Sequence, residues 1–347
     1  MKTFTEQPLP ARDTGGVPSL AKGGLVGAGV SVGLLGALLL GLKYFIRPPT
    51  KERIPETISP AQFTTRKFQS SRGQMIYHES GTGPGPALVF IHNVGVGASS
   101  YEWSKVYPAF AEGHRVLAPD LLGFGESERP KAKLTALDYA ESLADFVAHV
   151  CGEDGPRPVL VARGLGAGFA ALMAARHPDL AARLLLWMPS GHASVPLWLN
   201  LASRVPDLNS FIYRNNLARR ATIRARFGAR GAFADPRRVT QEMIEAHAIC
   251  AQQYQADYAI YRLFQGKLSF DLDTCFPVLR TPATLLYPSL AAPAALHCAR
   301  TLHASNHLSN LRIVEGAGPF APLETPAVLT EVLGEELSGE HVLRAAG

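Results

Sequence analysis

The sequence predicts an α/β protein: a mostly parallel sheet flanked by helices, with an inserted helical cap and one N-terminal transmembrane helix. Three observations carry this. From residue 65 onward, short apolar runs alternate with amphipathic stretches, the pattern of parallel strands covered by helices. Between about 191 and 275 the alternation gives way to helical, Arg-rich sequence. Ahead of the sheet, residues 23–42 contain no charge.

The elements follow in order. Residues 1–22 are polar, mixed in charge and without period, and read as a flexible tail. Twenty uncharged residues at ~1.5 Å per residue reach ~30 Å, the hydrocarbon thickness of a bilayer. Lys43 closes the run, Tyr44 suits the headgroup level, and Pro48 and Pro49 stop the helix, giving a span at 23–46 and a linker at 47–64. Seven glycines would destabilise a soluble helix of this length, whereas Gly29 and Gly33 make a GxxxG face for a second span. No A-x-A-like cleavage site marks a signal peptide. Lys43, Arg47, Lys51 and Arg53 outnumber Lys2, Arg12 and Lys22, so the positive-inside rule places the C-terminal domain of this single-pass protein in the cytoplasm. Residues 68–79 read as an antiparallel hairpin. Strands are expected at 87–92, 115–119, 159–163, 183–187, 283–287 and 311–314, and helices at 102–112, 137–150, 167–176, 291–302 and 326–337. The core then comprises 65–190 and 276–340, the cap 191–275, and a tail 341–347.

Composition excludes several classes. With 47% hydrophobic and 18% charged residues the chain buries a sizeable core and is not disordered. Cys151, Cys250, Cys275 and Cys298 form no CxxC pair, so neither a zinc framework nor a disulfide scaffold is expected. His303 and His307 lack a third ligand, and no metal or cofactor is expected. The net charge of +5 is local: between 211 and 240 stand eight Arg and one acid, Asp235. One such stripe suits an anionic lipid face, an acidic partner or a solvated helix face, and is too little for nucleic acid.

The runs ALVFIHNVGVGASSYEW, RVLAPDLLGFGESERP and PVLVARGLGAGFAALMAARHP resemble the α/β-hydrolase superfamily. The closest likeness is to its capped branch of haloalkane dehalogenases, epoxide hydrolases and esterase-like proteins. The resemblance covers about 65–340 and implies the α/β-hydrolase fold. It also implies where a catalytic triad would sit. The nucleophile elbow, G-x-S-x-G in relatives, reads Ala162-Arg163-Gly164-Leu165-Gly166, leaving Gly164 with no side chain to attack with. The base, a His in a G-A-G-H context, is replaced by Pro319 in Gly316-Ala317-Gly318-Pro319. The orienting acid falls near Ala291, in a stretch without carboxylates, and no Asp follows Asp273. The resemblance also implies a residual oxyanion or ligand pocket of His92, Asn93, Val94, Leu165 and Arg163, with the Leu165 N–H as one donor.

Losing a nucleophile or base in a serine hydrolase costs on the order of 10⁶ in turnover, and losing the whole triad about the same. Three readings follow. The first is a pseudoenzyme, a non-catalytic scaffold or accessory subunit that meets a membrane complex through its GxxxG face or Arg-rich cap. The second is a small-molecule binder using the vestigial pocket, with Arg163 facing an acidic ligand or paired with a carboxylate. The third is a hydrolase with a non-standard set such as Ser99, Ser100 or Ser127 with His92. A pocket filled by side chains favours the first, and a cavity of ~300 Å³ or more the second.

Overall fold

The computed structural model describes residues 41, 44–50, 52, 54, 63–152, 155–205, 207–229 and 232–339. The chain divides into two units, Met1–Phe45 and Ile46–Gly347; the sheet and the cap both belong to the second. No helix among the described residues is long and apolar enough to cross a membrane. The expected span at 23–46 lies outside them except at 41 and 44–46.

Eight strands form one sheet: β1 (Thr64–Ser70), β2 (Gly73–Ser80), β3 (Gly85–Ile91), β4 (His114–Pro119), β5 (Val159–Arg163), β6 (Arg183–Trp187), β7 (Ala283–Pro288) and β8 (Ser309–Val314). Their order is β1-β2-β4-β3-β5-β6-β7-β8. β1 and β2 are a tight antiparallel hairpin, β2 is antiparallel to β4, and every later pairing is parallel. β5 and β7 are buried at every residue, because helices cover both faces of a parallel sheet.

Helices α1 (Ala136–Cys151) and α2 (Gly164–Arg176) cover one face. Thr135 and Asp138 cap α1 reciprocally, and the rings of Tyr139 and Phe169 stack at 4.8 Å to join the two helices. The other face buries Phe90, Trp103 and Tyr107 together with Leu329 and Leu333. The helix expected at 102–112 is instead two 3₁₀ turns, Ser100–Trp103 and Tyr107–Phe110. Pro108 is the reason: it lacks an N–H and its ring opposes the carbonyl four residues earlier, so no α-helix runs through it.

Between β6 and β7 lie the cap helices α3 (Leu197–Ala202), α4 (Leu208–Ile212), α5 (Arg220–Gly228), α6 (Gln241–Gln252), α7 (Asp257–Phe264) and α8 (Leu272–Cys275). The chain then closes through α9 (Pro293–Ala304), α10 (Ala321–Glu324) and α11 (Pro326–Ser338). His303 is half-buried on α9, its Nδ1 3.0 Å from Ser309 Oγ. Folding brings carboxylates to the arginine stripe that the sequence leaves unmatched. Arg214 meets Asp257, Arg220 meets Glu245 and Glu52, and Arg237 meets Asp235. Arg238 donates to the Glu324 carbonyl and Arg224 to Gln241.

Cap and core come close together at Gly97, which lies at φ +77°. A Cβ there would stand 2.1 Å from the His247 carbonyl oxygen on α6. Gly97→Ala therefore meets both a left-handed backbone, at ~1–2 kcal/mol, and a backbone clash. The expected result is a loss of at least ~2 kcal/mol in urea unfolding. An unchanged unfolding midpoint would show that the cap rides freely on the sheet.

Candidate functional site

The site forms where β3, β5 and β6 end beneath the cap. β5 runs into α2 with no intervening loop, and Gly164 makes the turn at φ +58°, a conformation that glycine adopts without strain. A Cβ on Gly164 would lie 2.3 Å from Asn93 Oδ1, so the Asn93 side chain occupies the space over the elbow. That same oxygen accepts the Leu165 N–H at 2.9 Å. The donor expected to face an oxyanion is thus already bonded inside the protein.

The second constellation is a buried ion pair. Arg163 Nη1 bonds Glu102 Oε1, with the two side chains 7% and 4% exposed. Glu102 Oε2 accepts the Asn93 N–H at 2.7 Å, so both carboxylate oxygens are used. Arg163 Nε donates to the Pro319 carbonyl at 3.1 Å, and Trp187 Nε1 donates to the same oxygen at 3.0 Å. The guanidinium also lies 4.0 Å from the centroid of the Phe320 ring. Burial pulls the Arg163 pKa down to about 9, which leaves it charged at neutral pH.

Of the residues singled out from the sequence, Gly164, Asn93, Leu165, Arg163 and Pro319 are linked through these contacts. Val94 lines the same small cavity. Ala291 follows β7 in a turn, its N–H donating to the Pro288 carbonyl. The carboxylate that Arg163 meets is Glu102. His92 is fully buried: its Nδ1–H donates to the Asn93 carbonyl at 2.6 Å, and its Nε2 accepts the Leu121 N–H at 2.9 Å. With both nitrogens bonded to backbone, it is a structural residue and not a base.

The residual cavity measures about 70 Å³ and is lined by Asn93, Arg163, Arg226, Phe227, His247 and Phe320, among others. Ligand pockets run to ~300–1,000 Å³, so this space holds a few waters and no substrate of ordinary size. His247 donates from Nδ1 to the Met243 carbonyl at 2.8 Å. Burial pushes the Cys250 thiol up to about 12 and those of Cys151 and Cys275 to about 11, which makes them poor nucleophiles at neutral pH. Among the described residues no group of three or more His, Cys, Asp or Glu is placed to hold a metal ion.

Sequence reasoning missed Glu102 and His247. The available signal for the first was a lone carboxylate between two large aromatic residues, Tyr101 and Trp103, in an otherwise uncharged run. His247 stands on α6, far along the chain from His92, and no motif marks it.

Two measurements test this arrangement. Glu102→Gln leaves a buried guanidinium without its anion and should cost ~3–5 kcal/mol, whereas Glu102→Leu with Arg163→Met should cost far less. Equal losses in the two proteins would remove the ion pair as the cause. The second concerns pH. Burial, the largest cause, lowers the His247 pKa to about 4, against ~6.5 in the unfolded chain. As pH falls the unfolded chain takes up its proton first, so this contribution is complete above ~6.5 and is lost progressively towards 4. His92 and His78 shift in the same direction, also through burial. Replacing His247 by Gln should flatten the fall in unfolding midpoint across that window; an unchanged slope would assign the effect to other groups.

Comparison with known proteins agrees with the fold. The family described as alpha/beta hydrolase fold matches residues 86–230. An uncharacterized protein of Mycobacterium tuberculosis (strain ATCC 25618 / H37Rv) is 26% identical over 265 residues, 72% of this chain and 75% of the relative. The 2-hydroxymuconate semialdehyde hydrolase of Pseudomonas sp. (strain CF600) is 37% identical over 125 residues, 35% of this chain and 41% of that enzyme. An epoxide hydrolase structure determined without ligand superposes with a TM-score of 0.65 at 20% identity, covering 80% of this chain and 99% of that one. Sheet order, inserted cap and elbow give this chain the α/β-hydrolase fold, and residues 86–230 match the family of that description.

Proposed function

We propose that this protein is a non-catalytic member of its superfamily, held in a membrane by residues 23–42 and serving as a scaffold or accessory subunit of a membrane protein complex. The observation that carries the proposal is the use made of the triad positions. Asn93 covers Gly164, the Pro319 carbonyl accepts from Arg163 and Trp187, and the turn at Ala291 contains no carboxylate. The ~70 Å³ cavity speaks against a small-molecule receptor in this conformation. Leu197, Trp198 and Leu201, exposed by 74%, 60% and 55% on α3, supply an apolar patch of the kind that meets another protein.

A second reading, hydrolysis through other residues, is favoured by the relatives whose names are those of hydrolases. The candidates on this chain are engaged elsewhere. Ser127 Oγ donates to the Asp120 carbonyl and accepts the Ile76 N–H, while Ser99 and Ser100 are buried. His92 has no free nitrogen to activate any of them.

A fluorophosphonate probe separates the two, since it needs an activated hydroxyl beside an oxyanion hole. Labelling should stay at background, ester hydrolysis should equal a heat-treated control, and Gly164→Ser alone should recover nothing. Stoichiometric labelling mapped to any serine would establish the second reading. For the anchor, the full chain should resist alkaline carbonate extraction from membranes and should co-purify with a partner in mild detergent. Release by carbonate would remove the spanning helix.

A further inference from the structure

A larger cavity, of about 630 Å³, shares no lining residue with the one above the elbow and is lined by Arg47, Arg214, Arg219, Arg220, Thr50 and Gln252, among others. Among the described residues no acidic residue lines it. Two of the arginines are offset: Arg214 reaches Asp257 Oδ1 at 3.4 Å, and Arg220 reaches Glu245 at 2.6 Å and Glu52 at 3.7 Å. Among the described residues, the side chains of Arg47 and Arg219 meet no carboxylate. α5 also begins at this wall. Its N-cap residue is Arg219, no side chain caps it, and its first turn holds no acid.

One wall of the cavity is a strap ahead of the sheet. The Arg47 N–H donates to Asn215 Oδ1 at 3.1 Å, the Thr50 N–H to the Gln252 carbonyl at 2.8 Å, and Gln253 Nε2 to the Glu52 carbonyl at 2.9 Å. Arg47 is thereby held against a cap arginine cluster more than 160 residues away in sequence, at a separation of 168 for the Arg47–Asn215 bond. Arg47 and Arg219 thus bring two positive charges with no carboxylate partner to one cavity, a field that favours an anion there.

We propose that this cavity binds a phosphate-bearing anion. Two unpaired guanidinium forks and an uncapped helix N-terminus present more donors than one carboxylate has oxygens to meet, and they match the several oxygens of a phosphate. The volume falls within the range of ligand sites. Because Arg47 directly follows the proposed span, the phosphate has two sources: the headgroup of an anionic lipid or a soluble phosphate compound. Only the lipid source rests on the membrane reading above; the cavity itself does not.

The test uses the full chain in non-ionic detergent and follows thermal unfolding. One arm dopes the micelles with phosphatidic acid against diacylglycerol, and the other adds inorganic phosphate against chloride at equal ionic strength. The expected result is a rise in unfolding midpoint with a phosphate-bearing additive, and a loss of at least tenfold in apparent affinity in Arg47→Gln/Arg219→Gln. These arginines have no carboxylate to lose, so the variant should match the parent without additive; Arg300→Gln serves as a remote control. A response to phosphatidic acid alone assigns the headgroup, and a response to both assigns a general phosphate site; each supports the proposal. No response in either arm, or an undiminished response in the double variant, overturns it. Failure of the anchor is read separately, by carbonate extraction.

Discussion

The buried Arg163–Glu102 pair governs how the upper edge of the sheet is built. Two charges removed from water cost several kcal/mol each, and the structure offsets this only because every strong donor and acceptor nearby is recruited. Glu102 takes the Asn93 N–H as well as the guanidinium; Arg163 takes the Pro319 carbonyl and lies over Phe320. Remove one charge and the 3₁₀ turn, the elbow and the loop after β8 all lose a partner at once. Such a network suits a fixed junction between four segments.

Much of the fold was legible because it rests on local pattern. β5 and β6 were read at their exact observed limits, since each is a short run of apolar residues ending in a single polar or aromatic one. The reading failed at 102–112, where helical spacing of apolar residues outweighed the meaning of Pro108. That Gly164, Ala291 and Pro319 carry no hydroxyl, carboxylate or imidazole could be read directly, because a residue type needs no geometry. What surrounds them could not. Glu102 and Arg163 stand 61 residues apart, and the bond from Arg163 to the Pro319 carbonyl joins residues 156 apart. Pairings of that range depend on strand order, which sequence spacing does not encode.

Charge tells a related story. The stripe between 211 and 240 carries eight Arg against one acid, yet Asp257, Glu245 and Glu52 fold back onto it from outside that window. A linear count therefore overstates the field of the cap as a whole. It also leaves out Arg47, which joins the cap arginines from ahead of the sheet and lies outside that window. Exposed pairs such as Arg237 with Asp235 are screened by solvent and decide little about stability.

The strap at 47–52 has a mechanical consequence. Its bonds run to Asn215, Gln252 and Gln253, all in the cap, before the chain reaches the sheet at Thr64. Tension applied along the N-terminal segment is thus loaded first onto α6 and the turn ahead of α5, and the sheet is shielded from it. A pull from the N-terminal side therefore meets three hydrogen bonds to the cap before it meets a strand.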